Sequence, residues 1–431
     1  MSKQNKKDRR FKNPDFRRRV NVPAPETDEI RSRLISILTP GMFSPLRLLS
    51  QRERLRERVL TLPTMTALML SIIWRQIGSL GEALRLVTEE GMLWAQPERI
   101  SKQALSKRLQ KMPAWLFAEL YERVIEKISQ ESGPEEREGF SCIRIADGST
   151  LEQLRRTTLE SKEATEGKLG GKMMMTVDAA THRPVQAFYR EESESNDKTF
   201  CDKLIESVLE RGLLIFDLGF FSFPFFDAFT DSKKYFVTRM REKTAYKTIE
   251  VLGEGARYRD EIIKMGLYRS NPCEHPVRMV SVLWNGTWYR YLTNVVDPEK
   301  LSARRIVELY RSRWRIEQAF MITKRLLGLA YLWVGHTNGV QIQIYCTWIF
   351  YAVLMTLCAQ VAEVLKKPLE KISVEMVFRG LYHYSKASER GDATDVISYY
   401  VRKHEILSLV KEDRKRNKII DLQSIEVWGT A

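Results

Sequence analysis

The residues of this 431-residue chain best suited to chemistry are three carboxylates and their neighbours. Asp147 follows the run SCIRIA, and Asp217 follows LLIF, so each stands where a strand is expected to end. A carboxylate just past a core strand is held on a rigid platform. Either aspartate alone reads better as a turn former, since Asp commonly turns the chain there. Glu317 lies in the helical stretch YRSRWRIEQAFMITKRLLGL with Tyr310, Arg313 and Lys324. At about 100° per residue from Tyr310, Arg313 falls near 300°, Glu317 near 340° and Lys324 near 320°. Leu309, Ile316, Phe320 and Leu327 form a core stripe at roughly 240–280°. Glu317 is therefore expected at the edge of a packed helix, flanked by two cations and a phenol. A salt-bridged flank of an ordinary amphipathic helix would give the same pattern. Three acids on two strand ends and one helix offer the hard oxygens that a divalent cation takes.

The elements that must position these residues follow from the pattern around them. The run 141–146 reads as a strand that Asp147-Gly148 ends. KMMMTVDA and PVQAFYRE read as two more strands, followed by a helix near 198–210, the strand LLIF and the strand KYFVTRM. Three strands, helix, strand, helix or loop, strand is the order of a ribonuclease-H-like sheet. Residues 241–295 read as a β-rich insertion. Within it Asn285-Gly286 separates two aromatic and β-branched runs, the signal for a hairpin closed by a type I′ turn. Ser302 is the expected N-cap of the helix that carries Glu317, which should run to about residue 326.

Tyr310, Arg313, Glu317 and Lys324 fit the spacing Y-x2-R-x3-E-x6-K without deviation. This resembles the YREK signature of bacterial insertion-sequence transposases of the IS-four family, DDE enzymes with a ribonuclease-H-like core. Asp147 in ADGST matches the family's first Asp and Asp217 in DLGFFSF its second; YLTNVVDP resembles its Thr-Asn segment. Leu218 stands where many relatives carry Arg. The resemblance covers roughly residues 140–329. It implies that Asp147, Asp217 and Glu317 bind Mg2+, with Mn2+ as a substitute, and that two such ions clamp the attacking and leaving oxygens of an in-line phosphoryl displacement. It also implies action on terminal inverted repeats and target DNA, by a homodimer in a synaptic complex. Tyr310, Arg313 and Lys324 then either hold the DNA strand or balance the charge of the carboxylates. A metal-dependent nuclease on the same core, or an inactive DNA-binding derivative, is the alternative.

Charge agrees with a polyanionic partner. Lys plus Arg is 70 against 55 acids, a net +15, and such a field draws nucleic acid. Nine basic residues, Arg17, Arg18 and Arg19 among them, stand in the first twenty against two acids. That arm reads as a phosphate-gripping tail. Ser79 and Ser101 are expected to cap two helices of a helix-turn-helix, the second over 102–112. Its Leu105, Leu109 and Met112 face inward, while Lys102, Gln103, Ser106 and Lys107 face outward as donors for bases and phosphates. Trp284 and Trp288 flank the hairpin turn and are expected either to present an aromatic ring to an unpaired base or to steady the hairpin as a cross-strand pair. Five scattered cysteines, without metal-ligand spacing, speak against a zinc site or disulfide framework and point to a reducing cytoplasm; the family resemblance implies a bacterial cell and association with its nucleoid. The apolar run 344–358 is too short to span a membrane and reads as a buried core helix. The expected organisation is an arm and linker (1–50), a helical DNA-binding domain (51–135), an α/β catalytic domain (136–330) and a helical region that could dimerise (331–431).

Overall fold

The computed structural model describes residues 28–52, 59–131, 138–151, 171–192, 196–329, 332–334 and 336–412. The arm with Arg17, Arg18 and Arg19 lies outside the described residues.

Among the described residues nine strands form one mixed sheet: β1 (Ile143–Thr150), β2 (Lys172–Asp178), β3 (Pro184–Arg190), β4 (Leu213–Phe216), β5 (Tyr235–Arg239), β6 (Tyr246–Gly255), β7 (Tyr258–Met265), β8 (Val277–Trp284) and β9 (Thr287–Thr293). Their spatial order is β3-β2-β1-β4-β5-β9-β8-β7-β6. β1, β4 and β5 run parallel, and the other pairings are antiparallel. Six helices precede the sheet: α1 (Asp28–Ile37), α2 (Pro40–Arg52), α3 (Leu62–Trp74), α4 (Leu80–Glu89), α5 (Lys102–Lys111) and α6 (Trp115–Glu131). Within it come α7 (Cys201–Ser207) and α8 (Phe223–Asp231). After it come α9 (Ala303–Ser312), α10 (Trp314–Met321), α11 (Thr337–Val364), α12 (Val374–Glu389) and α13 (Val396–Lys403). The expected succession of three strands, helix, strand, helix, strand is the one observed. The β-rich stretch does not stand apart: β9 pairs with β5 and continues the same sheet.

Period-2 alternation divides the central strands between two cores. Ile143, Ile145, Leu213, Ile215 and Val237 are buried on one face, and Ala146, Leu214, Phe216 and Phe236 on the other. Because both faces are covered, β4 is apolar throughout, as buried parallel strands are. The second face packs on phenylalanines around α8, where Phe216, Phe226 and Phe236 stack at 4.9–6.2 Å. The first face meets the helices. A single apolar core runs there from Ile30 of α1 to Leu409 beyond α13.

At its centre is α11, with 28 residues against the fifteen of the apolar run in the sequence. By length and composition it passes for a membrane span. It is instead wrapped by α3, α5, α6, α12, α13 and β3, with Trp348, Ile349, Phe350 and Leu354 fully buried. The added first turn carries polar groups with defined partners. Asn338 accepts the Ala114 amide at 3.0 Å and donates to the carbonyls of Leu109 and Met112 at 2.8 and 2.6 Å. That clamps the α5–α6 turn to α11.

Ser302 caps the signature helix as expected, accepting the Arg305 amide. The helix is not one regular rod. It breaks at Arg313 between α9 and α10 and ends in a π-helical turn, Ile322–Leu326, where the Leu327 amide reaches back to Ile322. The Thr323 hydroxyl donates to the carbonyls of Ala319 and Phe320. An angular projection at constant pitch therefore fails beyond Met321.

Candidate active site

The pairing register brings the two aspartates together. β1 and β4 are matched from Ile143 opposite Leu213 to Ala146 opposite Phe216. One residue further sets Asp147 beside Asp217, on adjacent strands about 4.8 Å apart. Each lies two residues beyond an isoleucine, Ile145 or Ile215, buried on the helix-covered face. Alternation therefore turns both carboxylates toward α9 and α10, which pack on β4 and β1.

Arg313, at the break between these helices, links two of the three acids. Its Nη1 donates to Asp147 Oδ2 at 3.2 Å and its Nη2 to Glu317 Oε1 at 2.6 Å. Asp147 Oδ1 accepts the Gly148 amide at 2.8 Å. Asp217 Oδ1 accepts the Leu218 amide at 2.6 Å and a long contact from the Tyr310 hydroxyl at 3.4 Å. Tyr310 packs on Tyr291 in a tilted arrangement with ring centroids 5.3 Å apart. Burial, with Asp217 and Glu317 adding repulsion, pushes the Asp147 carboxyl up to about 7 although Arg313 and the Gly148 amide pull it down. Burial and then Asp217 raise the Tyr310 phenol. The Lys324 ammonium donates to the Thr150 carbonyl at the end of β1, the strand that carries Asp147, at 2.8 Å.

Tyr310, Arg313 and Glu317 thus converge with Asp147 and Asp217, and Lys324 touches the end of β1 three residues beyond Asp147. The other candidates lie elsewhere. α5 forms with Ser101 as N-cap; Leu105 and Leu109 are buried and Lys102, Gln103, Ser106 and Lys107 are exposed. Asn285 and Gly286 both have positive φ, at 47° and 75°, as a type I′ turn requires. Trp284 pairs with Thr287, and Trp288 with Leu283. The tryptophans are therefore on opposite faces of the hairpin, which overturns the expectation of a cross-strand pair. Trp288 is 43% exposed and Trp284 half-buried.

Three residues near the site escaped the sequence reading. Trp314, beside Arg313, is 62% exposed. Arg239 ends β5 on the same face as the aspartates. Asp197, paired with Lys172 at 2.6 Å, wedges under both strand ends. Its two oxygens lie 2.5 Å from where a Cβ would stand on Gly148 and on Gly219. The available signal was the pair of glycines, one and two residues after the two aspartates.

The donor types suit a hard divalent cation, but the arrangement is closed on Arg313. Among the described residues no three acidic, His or Cys side chains converge on one point that could hold a metal ion. Asp147 and Glu317 would have to turn from the guanidinium to share a cation with Asp217.

Residues 138–350 match the sequence model of the family described as Transposase DDE domain. A chain from Sinorhizobium fredii, provisionally described as a transposase, is 24% identical over 270 residues, 60% of this chain and 72% of that one. A second, from Synechocystis sp., provisionally described as the transposase of an insertion sequence element, is 25% identical over 173 residues, 38% of this chain and 46% of that one. Among solved structures, a piggyBac transposase synaptic complex with hairpin DNA covers 90% of this chain and 84% of its own, at a TM-score of 0.42 and 12% identity.

Proposed function

We propose, for a chain whose residues 138–350 belong to the DDE transposase family of insertion sequences, that it cuts DNA at the ends of a mobile element and joins the freed 3′ hydroxyls to target DNA. The observation that carries this reading is the register that sets Asp147 beside Asp217, facing the helix that bears Glu317. The strand order β3-β2-β1-β4-β5, with its last three strands parallel, supports a ribonuclease-H-like core. Asp147, Asp217 and Glu317 are the residues that would hold Mg2+ or Mn2+, which when bound supplies Lewis-acid stabilisation of the phosphoryl displacement. Arg313 offsets the negative charge of Asp147 and Glu317, and Tyr310 orients Asp217. Lys324 secures the end of β1 and lies close enough to meet a DNA strand there.

Around this centre, the exposed face of α5 with Lys102, Gln103 and Lys107 reads the terminal inverted repeat, and the arm with Arg17, Arg18 and Arg19 grips phosphates. Trp288, the more exposed tryptophan of the hairpin, meets DNA, and Trp284 lies on the opposite face. The helical segment 51–135 serves end binding, 136–330 catalysis and 331–431 assembly of a homodimer, in the cytoplasm at the nucleoid.

The test uses a duplex carrying the repeats that flank the gene, with paired ends, in Mg2+. The wild-type chain cuts and joins. Asp147→Asn, Asp217→Asn and Glu317→Gln each retain end binding and lose both steps. Cutting without joining would identify a nuclease; binding alone by the wild type would identify an inactive derivative.

A further inference from the structure

The same register that aligns the aspartates continues to a third strand. β4 and β5 are matched from Leu213 opposite Tyr235 to Ile215 opposite Val237. Two residues further sets Arg239 beside Asp217, as Asp217 lies beside Asp147. Val237 is buried on the helix-covered face, so alternation turns Arg239 to that face too. On three adjacent parallel strands Asp147, Asp217 and Arg239 thus stand side by side, Asp147 within β1, Asp217 just past the end of β4 and Arg239 at the end of β5.

The guanidinium of Arg239 is held but not satisfied. It lies over the ring of Tyr289 at 5.6 Å, and its backbone partner across the ladder is Tyr291, which packs on Tyr310. Its Nε is buried and lacks a hydrogen-bond acceptor. A buried donor without an acceptor costs free energy, and a ligand that brings an acceptor atom would complete it. Arg313, by contrast, has its donors committed to Asp147 and Glu317. Asp217, the nearest acid along the register, is already engaged by the Leu218 amide and Tyr310. An aromatic face fixes the plane of the fork, and the missing acceptor is an anionic oxygen. A planar guanidinium fits a phosphodiester in that role.

We infer that Arg239 is a DNA-contacting residue of this site, whose guanidinium takes a phosphodiester oxygen of the strand that enters beside Asp217. The inference rests on the reading of the carboxylates as a DNA-cleaving centre. It divides the two arginines: Arg313 serves the acids and Arg239 serves the substrate.

The experiment measures binding of the flanking-repeat duplex by fluorescence anisotropy in EDTA across a salt series, and cleavage of the same duplex in Mg2+. Arg239→Gln weakens binding about tenfold, and its log–log salt slope falls by about 0.9, one phosphate contact. Its thermal stability falls only slightly, since Nε had no acceptor and the contact over the Tyr289 ring is what is lost. Arg239→Lys keeps the salt slope but cuts more slowly, because a point charge replaces the fork. A wild-type salt slope in Arg239→Gln overturns the inference. If that variant fails to fold, wild-type cleavage by Arg239→Lys overturns it instead. Absence of cutting by the wild-type chain would count against the reading of the carboxylates, independently of Arg239.

Discussion

Asp147→Asn should stabilise the protein, and only above acidic pH. In the unfolded chain an aspartate titrates near 4. In the fold, burial raises Asp147 to about 7. Below about pH 4 the carboxyl is protonated in both states and has no effect on the balance. As pH rises from about 4 to 7, the unfolded chain releases the proton while the folded chain keeps it, so stability falls by up to about 1.4 kcal/mol per unit. Above about 7 the penalty is complete, at roughly 4 kcal/mol for a shift of three units. That figure already contains the attraction of Arg313 at 3.2 Å, and Asn bears no charge to desolvate. Urea denaturation in EDTA at about pH 4, 6 and 8 should therefore show the variant nearly equal to wild type at the lowest pH and about 4 kcal/mol more stable at the highest. With Mg2+ added at about pH 8, the wild-type chain should recover stability by mass action and the variant should not. A gap that does not widen with pH would refute the argument that desolvation dominates at Asp147. A variant less stable than wild type at the highest pH would refute it as well.

Arg313→Ala frees Asp147 and Glu317 from their shared cation, so calorimetric titration should show tighter Mn2+ binding in the absence of DNA; unchanged or weaker affinity would return Arg313 to the phosphate-holding role. Gly219→Ala should cost about 1–3 kcal/mol by overpacking, since its Cβ would meet the Asp197 carboxylate at 2.5 Å. Adding Asp197→Ala should recover part of that loss, and strict additivity in the double-mutant cycle would deny the contact. Replacing exposed Gln103 and Lys107 by Ala should weaken binding to the flanking repeats more than to random duplex; equal loss on both would make α5 a phosphate contact only.

The sequence by itself determined what depends on neighbours in the chain. Caps at Ser79, Ser101 and Ser302 formed because a hydroxyl satisfies an amide three residues on. The Asn285-Gly286 turn formed because both residues tolerate positive φ. The spacing of Tyr310, Arg313 and Glu317 carried over because α9 and α10 keep nearly one helical path through the break. Asp217 was legible as a strand end because the apolar run stops there, whereas the expected end at Asp147-Gly148 was wrong: β2 continues the ladder beside it, and β1 runs on to Thr150.

Tertiary structure decided the rest. No local pattern says that β1 lies next to β4, seventy residues away, in the one register that aligns Asp147, Asp217 and, through β5, Arg239. A shift by one residue would have turned one of those side chains to the phenylalanine face. The commitment of Arg313 to Asp147 spans 166 residues, and a guanidinium chooses among all anions the fold brings within reach. Asp197 reads in the sequence as an ordinary acid after the N-cap Asn196; only the approach of two distant glycines, Gly148 on β1 and Gly219 in the turn after β4, makes it a wedge. Short-range hydrogen bonding and steric preference are written residue by residue, whereas the site depends on which distant strands pair and in what register, which the burial of both faces of the sheet selects.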